Sequence, residues 1–286
     1  MTRVLVDLPP VSVIIAAYNE QAFIETTVTS ILDSGVPSQV IVVDDGSTDR
    51  TSEILARLCE RADVITHPTN RGKGAALASG LNQATGDIVV FCDAHLLGLR
   101  QQHLLSLALP LAYGSAKAVL GVSVPEGISA SMFRAAPALI LTGQRAYHRA
   151  DLMPLANEME HLGYGVETFL FTRFPRDRTA LVLLPGLVHL TKGSTSTFAA
   201  ATLGYLRESL EVLETLARIK GLVPKEVTEL RERVSVVLAR YAGTRASTNN
   251  LSSARLALLV DGQDASLTLD MRDDGIPPAV LTKEAT

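Results

Sequence analysis

The first third of the chain alternates apolar runs of strand length with segments of helical periodicity. VSVIIAA (11–17) is an apolar run of the kind expected from a strand buried on both faces. A helical pattern follows from about 21 to 33, and Gly-Val-Pro at 35–37 breaks it. QVIVVDDGSTDRT (39–51) reads as a second apolar strand entering a turn. Ser47, Thr48 and Asp49 are each N-cap candidates for the helix that carries Ile54, Leu55 and Leu58. ADVITHP (62–68) reads as a shorter third strand, GKGAALASGLNQA (72–84) as a helix and GDIVVFC (86–92) as a fourth strand. Strands and helices alternating through short links predict parallel βαβ units. Ligands in such sheets sit beyond the carboxyl ends of the strands. Three polar groups fall there: Tyr18-Asn19-Glu20, Asp44-Asp45 and Asp93-Ala94-His95.

The middle of the chain is mixed. Residues 101–112 read as a helix, KAVLGVSVP (117–125) as a strand and LTGQRAYHR (141–149) as a polar loop after an apolar helix. GYGVETFLF (163–171) is a Gly-rich turn opening a helix, and TALVLLPGLVHLTKGS (179–194) is strand-like. Further on, Leu203, Leu206, Leu210, Leu213 and Ala217 form one apolar stripe. Val227, Leu230, Val234, Val237 and Tyr241 form another behind Pro224. Both stripes carry mixed charges on their polar faces, without the basic excess of a membrane-surface helix. A polar linker (242–253) precedes a β-hairpin at 255–271 around an Asp-Gly turn, and the tail from Arg272 reads as disordered. That hairpin is too small to fold alone, so a contact with the body or with a second copy is expected.

Composition narrows the class. At 286 residues and 47% hydrophobic content, the chain can bury a sizeable core. No apolar stretch approaches the ~18 residues of a membrane span, and the N-terminus lacks the pattern of a signal peptide. Cys59 and Cys92 show no paired spacing, which points to reduced thiols in a cytoplasm. A net charge of −4 without a basic run gives a nucleic-acid partner no support.

VIIAAYNE, VIVVDDGSTDRT, NRGKGAAL and VVFCDAH occur in order, each at a strand end. This series resembles the nucleotide-sugar half of GT-A type glycosyltransferases of family 2. The resemblance implies a GT-A fold: a mostly parallel nucleotide-binding α/β sheet flanked by helices, here followed by C-terminal helices and a small β-hairpin. Residues 1–195 would form the glycosyltransferase domain, with a donor half at 11–98 and an acceptor half at 99–195. A helical segment at 196–242 and a hairpin appendage at 254–272 would follow. The implied activity is metal-dependent sugar transfer from a nucleoside-diphosphate sugar, with UDP-sugar the better guess, to a hydroxyl or phosphate acceptor; the alternatives are a retaining glucosyl- or mannosyl-3-phosphoglycerate synthase-like enzyme and a nucleotide-sugar-binding pseudoenzyme.

By the same resemblance, Asp44 or Asp45 holds the base, and Ala17, Tyr18 and Glu20 line the donor pocket. Lys73 or Arg71 meets the diphosphate, and Asp93 holds ribose or metal. The stretches GYGVET and PGLVHLTKGS further resemble glucosyl-3-phosphoglycerate synthases. That likeness makes His189 a metal ligand and puts Glu167 near the acceptor, with Asp93 and Glu167 as the catalytic carboxylates. Gly143, Gln144 and Arg145 fall on the acceptor side.

The chain departs from the family at one position, where His95 replaces the usual second Asp. A set of Asp93, His95 and His189 mixes carboxylate with imidazole and favours Mn2+ over Mg2+. On a face with period two, Asp93 and His95 would point the same way. Other readings stay open at this level. Glu20 and Glu167 also suit helix starts, and His95 also suits a polar surface. Lys73 at a helix start is mildly unfavourable unless an anion sits there. Gln144 cannot accept a proton, so no catalytic base is evident, with His148 and Asp151 the nearby titratable groups. A cytoplasmic homodimer with no membrane span, with or without peripheral membrane contact, completes the expectation.

Overall fold

A computed structural model of the protein describes residues 8–124 and 142–189, together with the backbone of three strands at 253–260, 263–270 and 280–283. The amphipathic stripes between 203 and 241 lie outside the described residues.

A seven-stranded sheet forms the centre, in the order β3-β2-β1-β4-β7-β6-β8. Its strands are β1 (Val11–Ala17), β2 (Gln39–Asp44), β3 (Asp63–Thr66), β4 (Ile88–Asp93), β6 (Ala118–Val124), β7 (Arg145–His148) and β8 (Thr179–Pro185). β5 (Leu96–Leu97) and β9 (Val188–His189) form a separate short antiparallel pair. The helices are α1 (Ile24–Asp33), α2 (Thr51–Ala56), α3 (Lys73–Gln83), α4 (Gln101–Ala112), α5 (Arg149–Leu152), α6 (Ala156–Met159) and α7 (Val166–Arg173). All strands of the large sheet run in one direction except β7, which is antiparallel to both β4 and β6.

Successive strand residues enter opposite cores, which is why the apolar runs are continuous. Val13, Ile15, Val42 and Val90 meet Ile24, Val28 and Ile31 of α1 and Leu104 and Leu107 of α4. Ile14, Val43, Val89 and Phe91 meet Ala76, Leu77 and Leu81 of α3 and Phe169 and Leu170 of α7. Each fully buried aliphatic side chain contributes about 1.5–3 kcal/mol relative to exposure.

The chain proceeds outward from β1 to β2 and β3, then returns to place β4 on the other side of β1. That reversal opens a crevice at the carboxyl ends of β1 and β4, the expected ligand position in a doubly wound sheet.

Four local expectations are corrected. Residues 145–148 are not loop but an internal strand, β7. Ala146 enters one core and Tyr147 the other, while Arg145 donates to backbone carbonyls and lies 3.9 Å from the Glu167 carboxylate. Polar composition therefore hides a strand. None of Ser47, Thr48 and Asp49 is the cap of α2. Arg50 holds that position without a side-chain bond, and Asp49 instead accepts from the amide of Thr51, 2.9 Å away. Asp93 ends β4 and the chain bends at Ala94, so strand alternation does not carry through to His95. The bend is pinned by the buried hydroxyl of Thr27, which donates to the carbonyl of Ala94 at 3.0 Å. Finally, the C-terminal tail contains a strand.

At that end, Ser253–Val260 and Gln263–Asp270 pair antiparallel, matching the hairpin read from the sequence, and Val280–Lys283 adds a third strand to the pair. Among the described residues no helix is long and apolar enough to cross a membrane.

Candidate active site

Three loops at the carboxyl ends of β1, β2 and β3 are tied together by their own polar side chains. Asn19 adopts a left-handed conformation, φ +56°. Its side-chain oxygen accepts from the amide of Thr48 at 2.8 Å, while its own amide donates to Ser47 Oγ at 3.0 Å. Asn tolerates that conformation better than most residues. Asp44, fully buried, accepts from the Ser47 amide at 3.0 Å and from the Ser52 hydroxyl.

Asp45, 3% exposed, accepts from the amides of Arg71 (3.0 Å) and Gly72 (2.7 Å). The Nδ1 of buried His67 lies 2.6 Å from the same carboxylate, and its Nε2 lies 2.9 Å from Ser79 Oγ. Gly46 makes this crossing fit, because a Cβ there would meet the backbone of Thr69 at 2.5 Å. Both candidate base-holding carboxylates thus also organise loops.

The second part of the site is a charged cluster at the end of β4. Lys73, the first residue of α3, donates to Asp93 at 2.8 Å and to Glu167 at 2.6 Å. The three side chains are 17%, 7% and 11% exposed, so the ion pairs are largely withdrawn from water. Burial alone would push the Lys73 ammonium down. The charges of Asp93 and Glu167, with their hydrogen bonds, outweigh it and raise the group well above the usual lysine value. Burial first, and then the charge of Asp93, push the neighbouring Cys92 thiol up. An anion does sit at this lysine, as the sequence argument required, but it belongs to the protein.

The cluster is framed from two further sides. Gln144 donates to the other Asp93 oxygen at 2.8 Å and accepts from the Thr142 hydroxyl at 3.0 Å. Gly143 lies against the carboxylate so closely that a Cβ would come within 2.1 Å of it. Arg145, 1% exposed, donates to the carbonyls of Thr142 (2.6 Å) and Glu167 (2.7 Å). It therefore supports the position of Glu167 from beneath. Gly74, next to Lys73, lets α3 approach α6, since a Cβ there would meet the Met159 carbonyl at 2.2 Å.

The remaining expected residues are placed as follows. Ala17 ends β1 and is buried, and Tyr18 is half-buried in the loop after it. Glu20 is buried, and its carboxylate lies 3.2 Å from His95 Nδ1. Its carbonyl accepts from the amides of Phe23 and Ile24, so it also starts α1. Arg71 pairs with Glu160 near the surface, and Asp151 pairs with Lys117 at 3.1 Å. The backbone of His189 pairs with Leu96, which brings position 189 beside the Asp93–His95 segment. Its side chain lies outside the described residues, and among those described no three His, Cys, Asp or Glu side chains gather as a metal site.

The structure adds Thr142, His67 and Ser79, which the motifs did not single out. His67 follows the end of β3, so the rule that selects Asp45 and Asp93 also selects it.

Comparison with known proteins fits this geometry. Residues 12–137 match the model of Glycosyl transferase family 2. The chain is 40% identical over 97 residues to the "Probable glycosyltransferase YdaM" of Bacillus subtilis, which covers 31% of this chain but only 23% of that protein. The crystal structure of M. tuberculosis glucosyl-3-phosphoglycerate synthase superposes with a TM-score of 0.55 at 28% identity, covering 75% of this chain and 82% of that one. The Mycobacterium tuberculosis synthase in complex with Mn2+ and UDP-Glc gives a TM-score of 0.54 at 24% identity, covering 94% of this chain and 90% of that one.

Proposed function

Because the chain is a family 2 glycosyltransferase with the GT-A fold, we propose that it transfers a sugar from a nucleoside-diphosphate sugar, in the first instance a UDP-sugar, to a hydroxyl or phosphate acceptor. The observation that carries this reading is the Lys73–Asp93–Glu167 cluster at the switch point of the sheet. A buried ammonium at this position can stabilise the charge of a departing diphosphate once it is drawn from its two carboxylates.

In this reading the nucleoside enters along the loops of Ala17, Tyr18, Glu20, Asp44 and Asp45. Lys73, aided by Arg71, receives the diphosphate. Asp93 faces the ribose end of the donor, and Gly143, Gln144, Arg145 and Glu167 shape the acceptor side. Transfer breaks the bond between the anomeric carbon and the diphosphate oxygen and forms one to the acceptor oxygen. The acceptor loses its proton in that step. Gln144 cannot take it, and its amide instead fixes Asp93 in place.

Asp93, His95 and His189 would hold a divalent cation, and carboxylate plus imidazole suits Mn2+. Such an ion would supply further charge neutralisation to the leaving diphosphate. The similar synthase of Mycobacterium tuberculosis has been crystallised with Mn2+ and UDP-Glc, which supports a divalent cation and a UDP-sugar.

The test is thermal shift with UDP, GDP and ADP, each with Mn2+ or Mg2+. A ligand at about 100 times its Kd adds about 2.7 kcal/mol of stability. UDP with Mn2+ should raise the melting point most, and Asp93→Asn should remove the shift. Flat curves with every nucleotide would refute the reading.

One observation favours a more specific version. The 28% identity to glucosyl-3-phosphoglycerate synthase extends over 82% of that protein's chain, and the same synthase has been crystallised with phosphoglyceric acid. The specific reading is that UDP-glucose and 3-phosphoglycerate give a product that keeps the donor's anomeric configuration. NMR of the product decides it, and an inverted anomeric signal rejects it.

A further inference from the structure

We infer that His67 is a positioning residue for donor binding, acting through Asp45 on the Arg71–Lys73 segment that receives the diphosphate. The inference rests on the donor reading above. Asp45 already accepts two backbone N–H groups, from Arg71 and Gly72. Its third contact is His67 Nδ1 at 2.6 Å, and a carboxylate acting only as acceptor requires the proton on that nitrogen. The other ring nitrogen lies 2.9 Å from Ser79 Oγ.

Ser79 and Lys73 share helix α3, and the His67 amide donates to the Asp44 carbonyl at 2.9 Å. The end of β2, the loop after β3 and the first turns of α3 therefore form one hydrogen-bonded unit. His67 joins all three. At the far end of that unit stands Lys73, fixed between Asp93 and Glu167. Both ring nitrogens of His67 are engaged by protein partners, Asp45 and Ser79, so the ring acts through Asp45 rather than on the substrate.

Two readouts separate this role from a general loss of structure. The first is binding of UDP against uridine, which lacks the diphosphate. His67→Ala should weaken UDP binding about tenfold, the order expected for losing a hydrogen bond to a charged group, and leave uridine binding within about twofold. His67→Asn, which can still donate to Asp45, should restore most of the loss. The second readout needs no ligand. Amide hydrogen exchange of Arg71 and Gly72 should quicken about tenfold in His67→Ala and return toward wild type in His67→Asn.

Equal weakening of UDP and uridine would overturn the inference, since Asp45 would then act at the base. Unchanged exchange at Arg71 and Gly72 in a folded His67→Ala protein would overturn it as well. If wild-type protein binds neither UDP nor uridine, the donor reading fails, and the exchange measurement still decides the positioning claim.

Discussion

Replacing Lys73 by Met keeps the apolar stem of the side chain while removing its ammonium group. In the native cluster the ammonium bridges Asp93 and Glu167 at 2.8 and 2.6 Å, so the two oxygens it joins are roughly 5 Å apart. Without the ammonium, two ionised carboxylates at that separation repel by about 3 kcal/mol at an effective dielectric near 20. Breaking a largely buried ion pair costs about 3–5 kcal/mol in comparable cases. The two routes agree, and a loss of about 3 kcal/mol corresponds to a fall in Tm of about 6–12 °C.

The pH dependence has a definite sign. The native Lys73 value is raised above the unfolded one. Its stabilising contribution is thus fully present below the unfolded lysine value of about 10.5 and is lost only as pH rises through the higher native value. In the wild type that contribution is flat from pH 5 to 9. In Lys73→Met the repulsion disappears once one carboxyl takes a proton, so the deficit should shrink as pH falls from 8 toward 5. Urea denaturation followed by circular dichroism at both pH values measures this. Adding Glu167→Gln to Lys73→Met should recover about 1–3 kcal/mol. A deficit below about 1 kcal/mol at pH 8, or one that does not change with pH, would refute the account of the cluster.

The other predictions concern what surrounds Asp93. Gly143→Ala would place a Cβ 2.1 Å from the Asp93 carboxylate. The expected result is about 1–3 kcal/mol of destabilisation and about a hundredfold slower sugar transfer, read from denaturation and from UDP release. Of the two free thiols, exposed Cys59 should react with a thiol reagent in the native protein. Buried Cys92, its thiol pushed up by burial and by Asp93, should react only after unfolding. Titration to two reactive thiols in the folded state would contradict the burial of β4.

The backbone of residues 11–98 was readable because its signals are local. β1, β2 and β4 are apolar in unbroken runs, since both faces of each strand are covered. The polar groups that follow them are recognisable by position alone. β7 was not readable for the opposite reason. It is four residues long, and Arg145 at its start is held by the carbonyls of residues 142 and 167, with the Glu167 carboxylate 3.9 Å away. A propensity argument sees an arginine and a histidine and assigns a loop.

Asp93 and His95 show the same limit from another side. Period-two reasoning holds only while the strand continues, and the bend at Ala94 depends on Thr27, 67 residues earlier in the chain. Lys73 was readable as a cation at a helix start, but its partners were not. Asp93 lies 20 residues away and Glu167 lies 94 away.

These long-range partners bear on how the site would meet a donor. The Lys73 ammonium is already compensated by two carboxylates, so a diphosphate entering the crevice does not meet a free cation. It must draw Lys73 from Asp93 and Glu167, or enter with positive charge of its own that takes over those carboxylates. If the diphosphate arrived with a divalent cation, Asp93 would hold the cation and the Lys73 ammonium would be left to pair with the phosphates. Binding of UDP should therefore depend steeply on the divalent cation, while binding of uridine should not. The difference between UDP and uridine in the presence and absence of Mn2+ measures how far the diphosphate depends on a divalent cation at this cluster.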